Sequence, residues 1–123
     1  MKIAILSDGG WGTALAMVLV DNGNDVTLWG PFPDYIEEMK RTRTNSRFLK
    51  NVRLPANLKL ESDISQAAQA DYLVLASPVQ FMRGVLTQLK PHFDPTRHRL
   101  IDVAKGIECE TLLRVSGICA EIL

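Results

Sequence analysis

A glycine-rich turn near the start of this 123-residue chain contains the residues best suited to chemistry. The turn, residues 7–12, joins the apolar run 3–6 to a segment of helical periodicity. A pyrophosphate-binding turn of the G-x-G-x-x-G type uses its first glycine for tightness, its second for close approach of the phosphates and its third for helix-strand packing. Gly9 and Gly12 fit the second and third positions, but Ser7 stands at the first. The turn therefore predicts a phosphate cradle that lacks one glycine.

The chemistry predicted for this cradle is the binding of a dinucleotide pyrophosphate. Backbone amides at a helix start have no partners within the helix, and the helix dipole favours an anion there. The alternative interpretation is that the glycines only shape a strand-to-helix turn.

Two further positions bear on the choice of ligand. An acidic residue about 20 positions after such a turn often binds a ribose 2′-hydroxyl, whereas a basic residue accommodates a 2′-phosphate. Trp29, Gly30 and Pro31 offer neither, so the choice between NAD and NADP stays open. Lys105 precedes Gly106 after an apolar run, and its ammonium is expected to meet an anionic or carbonyl oxygen in the same crevice. The alternative for Lys105 is a solvated loop side chain.

Other reactive side chains are expected to have no role in ligand binding. His92 and His98 flank a proline-containing loop and are predicted to be solvent-exposed rather than metal ligands. Cys109 and Cys119 follow neither a C-x-x-C nor a zinc spacing, which favours free thiols. A basic run is predicted to form a solvated surface, the alternative being that it attracts a phosphate: Lys40, Arg41, Arg43, Arg47, Lys50 and Arg53. The sequence therefore predicts no metal site.

Charge and length restrict the function classes further. Lys and Arg total 14 and Asp and Glu total 14, so no net field favours nucleic acid or an anionic membrane. No segment approaches the roughly 20 apolar residues that span a bilayer, and the run at 3–6 is too short for a signal peptide. We expect one domain over residues 1–123, a cytoplasmic location and no nucleic-acid partner.

Hydrophobic periodicity predicts alternating strands and helices. Continuous apolar runs predict parallel strands at 3–6, 26–29, 72–76 and 100–104. A short alternating segment at 58–60 predicts an additional edge strand. Helical stripes are predicted over about 11–21, 32–39, 63–68, 82–89 and 112–122, with a loop over 41–53. Right-handed crossovers then give an α/β fold, a doubly wound parallel sheet of the Rossmann type with strand order 3-2-1-4-5. In such a sheet the turns at 9–12, 77–78 and 105–106 meet at one crevice.

The whole chain closely resembles the N-terminal NAD-binding domain of NAD(P)-dependent sn-glycerol-3-phosphate dehydrogenases. Four blocks carry the resemblance: 9–16, 26–30, 45–49 and 104–108. The resemblance implies an oxidoreductase that interconverts sn-glycerol 3-phosphate and dihydroxyacetone phosphate with NAD or NADP, in glycerophospholipid synthesis. It also implies a set of cofactor-binding residues, of which Lys105 also binds substrate: Gly9, Gly10, Trp11, Gly12, Phe48 and Lys105.

The chain departs from the family pattern in ways that qualify this function. Ser7 adds a side chain where phosphates approach closely, and the carboxylate of Asp8 is expected to repel a pyrophosphate. Pro31 stands where the family often has an arginine, which removes a candidate partner for a 2′-phosphate. The resemblance also implies a helical substrate domain with a general acid/base lysine, which we expect to lie outside residues 1–123. We therefore expect nucleotide binding without turnover and no catalytic residue in this chain.

Two expectations concern partners and the alternative function. An apolar face near the last residue is predicted to be buried by something further on: Ile118, Cys119, Ile122 and Leu123. The resemblance is compatible with a homodimer. The alternative function is a non-catalytic binding module that keeps the Rossmann fold and has lost its affinity for the cofactor.

Overall fold

The computed structural model describes residues 1–123 and contains a five-stranded parallel sheet with helices on both faces. In chain order the elements are β1 (Lys2–Leu6), α1 (Gly10–Asp21), β2 (Asp25–Trp29), α2 (Pro33–Thr42), β3 (Thr44–Asn45), β4 (Leu49–Arg53), β5 (Lys59–Glu61), α3 (Ile64–Ala67), β6 (Tyr72–Leu75), α4 (Val79–Leu89), a 3-10 turn (Lys90–His92), β7 (Arg99–Asp102) and α5 (Val115–Ile122). No helix has the length and apolar content needed to cross a membrane.

The strands of the main sheet lie in the order β5-β2-β1-β6-β7, and each neighbouring pair is parallel. Counted over these five strands alone, the order is the predicted 3-2-1-4-5. The numbering differs because β3 and β4 intervene in the chain and pair only with each other, as an antiparallel hairpin. The doubly wound α/β fold predicted from the sequence is therefore confirmed.

The predicted loop over 41–53 is wrong, because it contains this hairpin. β3 has only two residues, and the five residues of β4 are all exposed or half-buried. Strands of this kind lack the apolar alternation from which a strand is recognised in a sequence. The hairpin is held instead by polar contacts to the glycine-rich turn.

The strand register brings the carboxyl ends of the strands to one edge. Leu6 pairs with Trp29 and Leu75 pairs with Asp102. The hydroxyl of Ser77 also donates to the carbonyl oxygen of Leu6 at 2.5 Å, which ties the ends of β1 and β6 together. The connections of the sheet leave in opposite directions from these two strands, and ligands of doubly wound sheets bind at such a switch point.

Two apolar layers hold the sheet. On one face Leu6, Leu73 and Leu75 pack against α4 and α5, where Met82 and Ile118 are fully buried. On the other face the strands pack against α1 and α2 through Ile5, Leu28, Val74, Ala16, Ile36 and Met39. Each fully buried aliphatic side chain of this size contributes about 1.5–3 kcal/mol. The continuous apolar runs of the central strands thus serve two cores at once.

The ends of β7, α5 and α2 differ from those expected from the sequence. β7 ends at Asp102 rather than at 104, and α5 begins at Val115, so the exposed Leu112 (φ 58°) lies outside the predicted stripe. α2 begins at Pro33, and Phe32 is its exposed N-cap residue rather than a core residue. The apolar face of α5 packs partly within the chain: Ile118 is buried, and Cys119, Ile122 and Leu123 are half-buried against the core on the α4 side of the sheet.

His98 was predicted to be exposed, and the structure buries it. Its Nδ1 accepts the amide hydrogen of Asp94 at 2.9 Å, and its Nε2 lies 2.7 Å from the carbonyl oxygen of Ala68. Its Nε2 also lies 2.8 Å from a guanidinium nitrogen of Arg97, and the ring stacks on Phe93 with 5.5 Å between ring centroids. His98 therefore fixes the turn before β7 against the end of α3, while His92 is exposed as predicted.

Candidate functional site

A cleft of about 430 Å³ opens at the carboxyl ends of β1, β2 and β6. Its walls come from the glycine-rich turn, the residues after β2 and β6, the hairpin and α4, and include Ser7, Gly9, Pro31, Phe48, Pro78 and Phe81. Sites for small molecules enclose about 300–1,000 Å³ and are mostly apolar with a few polar groups. The volume, the lining and the position at the switch point all mark this cleft as the candidate site.

A smaller cavity of about 180 Å³ lies at the opposite edge of the sheet, between Lys2, Asp25 and Lys59. Lys59 and Asp25 form an exposed ion pair there, with 3.0 Å between Nζ and Oδ1. This edge carries the amino ends of the strands, which doubly wound folds do not use for ligands.

The start of α1, next to the cleft, has backbone amides without partners inside the helix. Gly9 is the N-cap of α1, and the first amide with a helical partner is that of Thr13, which donates to the carbonyl oxygen of Gly9 at 2.9 Å. The amides of residues 10–12 precede it and have no carbonyl to pair with inside the helix. This end of α1 is therefore suited to an anion.

Ser7 occupies one amide of the turn. Its hydroxyl oxygen accepts a hydrogen bond from the amide of Gly9 at 3.0 Å. A G-x-G-x-x-G turn offers that amide to the phosphates. The serine therefore competes with an anionic ligand, in addition to adding the bulk expected from the sequence.

Two glycines of the turn are required by packing within the chain. A methyl group at Gly12 would lie 3.0 Å from the carbonyl oxygen of Ser7 and 3.2 Å from Ile5, which is the helix-strand contact predicted for the third glycine. A methyl group at Gly10 would lie 2.6 Å from the carbonyl oxygen of Phe48. Gly10 thus allows the hairpin to cover the turn.

A buried polar network locks the hairpin onto the turn. Asn45 is fully buried, and its Nδ2 donates to the carbonyl oxygen of Asp8 at 2.7 Å and to the hydroxyl of Thr13 at 2.9 Å. The Oδ1 of Asn45 accepts a hydrogen bond from the hydroxyl of Tyr35. The same hydroxyl oxygen accepts a hydrogen bond from the backbone amide of Arg47 at 3.0 Å. The network sets the position of the loop that carries Phe48.

Phe48 and two other aromatic side chains surround the mouth of the cleft. Phe48, Phe32 and Phe81 line it and expose 51%, 61% and 68% of their surface. Phe48 also packs edge-to-face on Tyr35, with 6.3 Å between ring centroids. Exposed aromatic rings at the rim of a cleft suit a ligand with flat, partly apolar groups.

The basic run does not behave as one solvated surface. The guanidinium of Arg43 donates to the carbonyl oxygens of Leu58, at 2.8 Å, and Pro55, so this residue is structural. Arg47 is exposed, and its guanidinium lies 4.5 Å from the centroid of the Tyr35 ring. The prediction of a solvated surface is therefore wrong for Arg43.

Asp8 places a buried carboxylate at the end of β2. The residue is only 7% exposed, and its Oδ2 has no hydrogen-bond partner. A methyl group at Gly30 would overlap that oxygen, so the carboxylate lies directly against the residue after β2. Burial raises the pKa of Asp8, while a backbone hydrogen bond and the charge of Arg47 oppose the rise.

The raised pKa of Asp8 predicts that Asp8→Asn stabilises the protein at pH 7. Because the folded pKa exceeds the unfolded value of about 3.9, stability is highest below that value and falls as the pH rises through the window up to the folded pKa. We expect the variant to gain about 1 kcal/mol in the free energy of unfolding at pH 7, and less at pH 4. Urea unfolding at both pH values measures this, with Glu110→Gln as the exposed control. A less stable variant at pH 7 would contradict the argument.

Lys105 lies outside the cleft wall, in an exposed segment that α4 holds in place. Gln80 accepts the amide hydrogen of Cys109 and donates to the carbonyl oxygen of Ile107, both at 3.0 Å. Arg83 pairs with Glu108 at 2.8 Å and holds the pKa of that carboxyl at about 2. These two α4 side chains were not predicted, because their only signal in the sequence is a pair of polar residues three apart beside an apolar stripe.

Trp11 connects the turn to the segment that leads to Lys105. Its indole N–H donates to the carbonyl oxygen of Val103 at 3.2 Å, and the side chain stays 57% exposed. The structure thus brings Gly9 and Phe48 together on the cleft wall, with Gly10 and Gly12 behind it. Trp11 and Lys105 lie on the side of β7.

The chain matches the family model described as NAD-dependent glycerol-3-phosphate dehydrogenase N-terminus over residues 2–123. The glycerol-3-phosphate dehydrogenase (NAD(P)+) of Geobacter sulfurreducens is 43% identical over 123 residues, which are 99% of this chain and 36% of that protein. The corresponding Bacillus subtilis protein is 40% identical over 118 residues, 95% of this chain and 34% of that protein. The chain therefore spans little more than a third of these relatives.

Solved structures give the same relationship. The crystal structure of a glycerol-3-phosphate dehydrogenase from Coxiella burnetii aligns with a TM-score of 0.90 at 32% identity, over 99% of this chain and 37% of that one. The Saccharomyces cerevisiae enzyme aligns with a TM-score of 0.85 at 27% identity, over 100% of this chain and 39% of that one. A D-mandelate dehydrogenase complex with NADH shares the fold alone, at 16% identity, a TM-score of 0.76 and coverage of 100% of this chain and 38% of that one.

Proposed function

This chain belongs to the family of NAD-dependent glycerol-3-phosphate dehydrogenase N-terminal domains, and from that premise we propose that its cleft binds the nicotinamide dinucleotide of such an enzyme. Residues 1–123 are then the dinucleotide-binding domain of a protein that interconverts sn-glycerol 3-phosphate and dihydroxyacetone phosphate. The observation that carries the proposal is the meeting of free α1 amides and an apolar cleft at the switch point of the sheet.

The residues present fit a dinucleotide. The amides of residues 10–12 bind the pyrophosphate, and the apolar rim formed by Phe32, Phe48 and Phe81 binds flat groups and excludes water. The bound nicotinamide supplies or accepts the hydride. Lys105 follows the segment bonded to Trp11, and its ammonium binds cofactor and a substrate oxygen from the side of β7.

We assign no catalytic residue to this chain, which spans 36% of its Geobacter sulfurreducens relative. The substrate domain and the proton-transferring group then lie outside residues 1–123, and the chain alone binds nucleotide without turnover. A cytoplasmic location and a homodimer stay predictions, the first in keeping with the unpaired thiols of Cys109 and Cys119.

Calorimetric titration with NADH tests the proposal. We expect saturable binding of one NADH per chain and a rise in melting temperature, because a ligand at about ten times its Kd stabilises the folded state by roughly 1.4 kcal/mol. No heat and no thermal shift at millimolar NADH would sink the proposal. Oxidation of NADH by this chain with dihydroxyacetone phosphate would contradict the absence of turnover.

The hydrogen bond from Gly9 to Ser7 predicts that Ser7→Gly strengthens NADH binding. The substitution frees the amide of Gly9, and a hydrogen bond is worth about 0.5–1.5 kcal/mol, so we expect Kd to fall about threefold to tenfold. Ser7→Ala removes the hydroxyl but keeps the Cβ atom, and should give part of the gain. Unchanged or weaker binding in both variants would show that the hydroxyl does not compete.

The same hydrogen bond favours the alternative function, a binding module that has lost its cofactor. Wild-type protein that binds no NADH, together with a Ser7→Gly variant that does, would identify the serine as the cause of that loss. Binding by both proteins excludes the alternative.

A further inference from the structure

The end of β2 lacks the acidic side chain with which Rossmann-type domains bind the adenosine ribose. Trp29, Gly30 and Pro31 follow one another there. We propose that Asp8, from the glycine-rich turn, supplies this carboxylate: it accepts hydrogen bonds from the ribose hydroxyls and selects NAD(H) over NADP(H). This inference rests on the proposed function and names a specificity-determining residue for it.

The carboxylate is placed where the missing side chain would act. Leu6 pairs with Trp29, so the chain leaves β1 and β2 side by side, and Asp8 faces Gly30 across the gap. A methyl group at Gly30 would overlap Asp8 Oδ2. The amide of Gly30 donates to the carbonyl oxygen of Glu61 at 3.0 Å, which fixes its backbone beside β5. A glycine after β2 is thus the opening through which Asp8 reaches the ribose position.

Asp8 also has an unfilled bonding capacity. It is 7% exposed, lines the cleft, and its Oδ2 is one of two buried side-chain polar atoms of the structure without a hydrogen-bond partner. Buried polar atoms are normally satisfied, and an orphan of this kind calls for an explanation. A ribose hydroxyl is a donor of the right chemistry, since an ionised carboxylate only accepts.

The same carboxylate disfavours the phosphorylated cofactor. A phosphate monoester carries about −1.5 to −2 charge at pH 7, and a like charge in a partly buried site is repelled. Two cationic candidates bear on this choice. Position 31 is a proline and supplies no charge, whereas Arg47 acts electrostatically on Asp8 and stacks on Tyr35. Arg47 is exposed, while Asp8 is fixed against β2, so the carboxylate decides the preference.

Paired titrations test this inference. NADH and NADPH are compared on wild type and Asp8→Asn, and 5′-AMP and adenosine 2′,5′-bisphosphate are compared on the same proteins to confine the effect to the adenosine half. We expect the Kd of wild type for NADPH to be about ten times its Kd for NADH. Asp8→Asn should reduce this ratio of the two Kd values by about tenfold. The ratio of the Kd for adenosine 2′,5′-bisphosphate to the Kd for 5′-AMP should fall by a similar factor. Arg47→Gln should weaken NADPH more than NADH, and Glu110→Gln, which removes an exposed carboxylate, should change neither ratio. Melting temperatures confirm that each variant is folded.

The outcomes separate this inference from the proposed function. If NADH binds and Asp8→Asn leaves the ratio within about twofold, or if wild type prefers NADPH, the role of Asp8 is overturned and the proposed function stands. If neither dinucleotide binds to wild type or to Ser7→Gly, both are overturned.

Discussion

Replacing Gly10 with alanine is expected to lower the free energy of unfolding by about 1–3 kcal/mol and to weaken NADH binding about tenfold or more. The added methyl group would lie 2.6 Å from the carbonyl oxygen of Phe48, which is backbone and cannot rotate away. Either the hairpin or the start of α1 must move. Both carry groups of the proposed site, so stability and binding fall together. Urea unfolding and NADH titration measure the two effects.

Gly84→Ala is the matched control for the stability part of this prediction only, because Gly84 itself lines the cleft. Gly84 lies inside α4, and a methyl group there meets no atom within 4 Å. Alanine in a helix interior is favoured over glycine by about 0.5–1 kcal/mol, so this variant should be more stable than wild type. If Gly10→Ala behaved like Gly84→Ala, the hairpin would not rest on the turn in the way described.

Removing the amide of Asn45 is expected to cost about 2–4 kcal/mol. Asn45→Ala removes one hydrogen bond from each of three buried groups, on Asp8, Thr13 and Tyr35. It also releases the hairpin from the turn, so the rim residue Phe48 loses its fixed position. Chemical denaturation should show the loss of stability, and NADH binding should weaken by about tenfold at a temperature where the variant is folded.

Two control variants set the scale for the loss of stability in Asn45→Ala. Tyr35→Phe removes a single hydroxyl of the network and should cost about 1 kcal/mol. Asn57→Ala changes an exposed asparagine in a turn and should stay within about 0.5 kcal/mol of wild type. An Asn45→Ala variant as stable as Asn57→Ala would mean that the network does not hold the hairpin.

The sheet and the glycine-rich turn were predictable because their signals are local. The run Ile3–Leu6 is continuous and apolar since β1 is central and is buried on both faces. Gly12 follows it at the spacing that helix-strand packing requires, and the structure shows the contact. The strand order followed from right-handed crossovers together with the order usual in doubly wound sheets, and both need only the sequence of elements.

The hairpin and its network were not predictable in this way. Asn45 lies 37 residues from Asp8, and nothing in the polarity of either residue indicates that they meet. The family resemblance implied that Phe48 lies beside the cofactor, without saying what holds residues 45–49 in place. Asp8 illustrates the same limit, because its carboxylate was expected beside the pyrophosphate and lies instead against Gly30. The direction of a side chain that leaves a turn depends on tertiary contacts.

The central claim is that the cleft at the carboxyl ends of the strands binds the dinucleotide. Mapping of amide chemical shifts by NMR during titration with NADH tests it most directly, since every site residue except proline reports separately in this 13.7 kDa chain. We predict saturable shifts at residues 9–12 and at Phe48, with no comparable change around Lys2, Asp25 and Lys59 at the opposite edge. Shifts confined to that opposite edge, or no saturable shifts at millimolar NADH, would contradict the account.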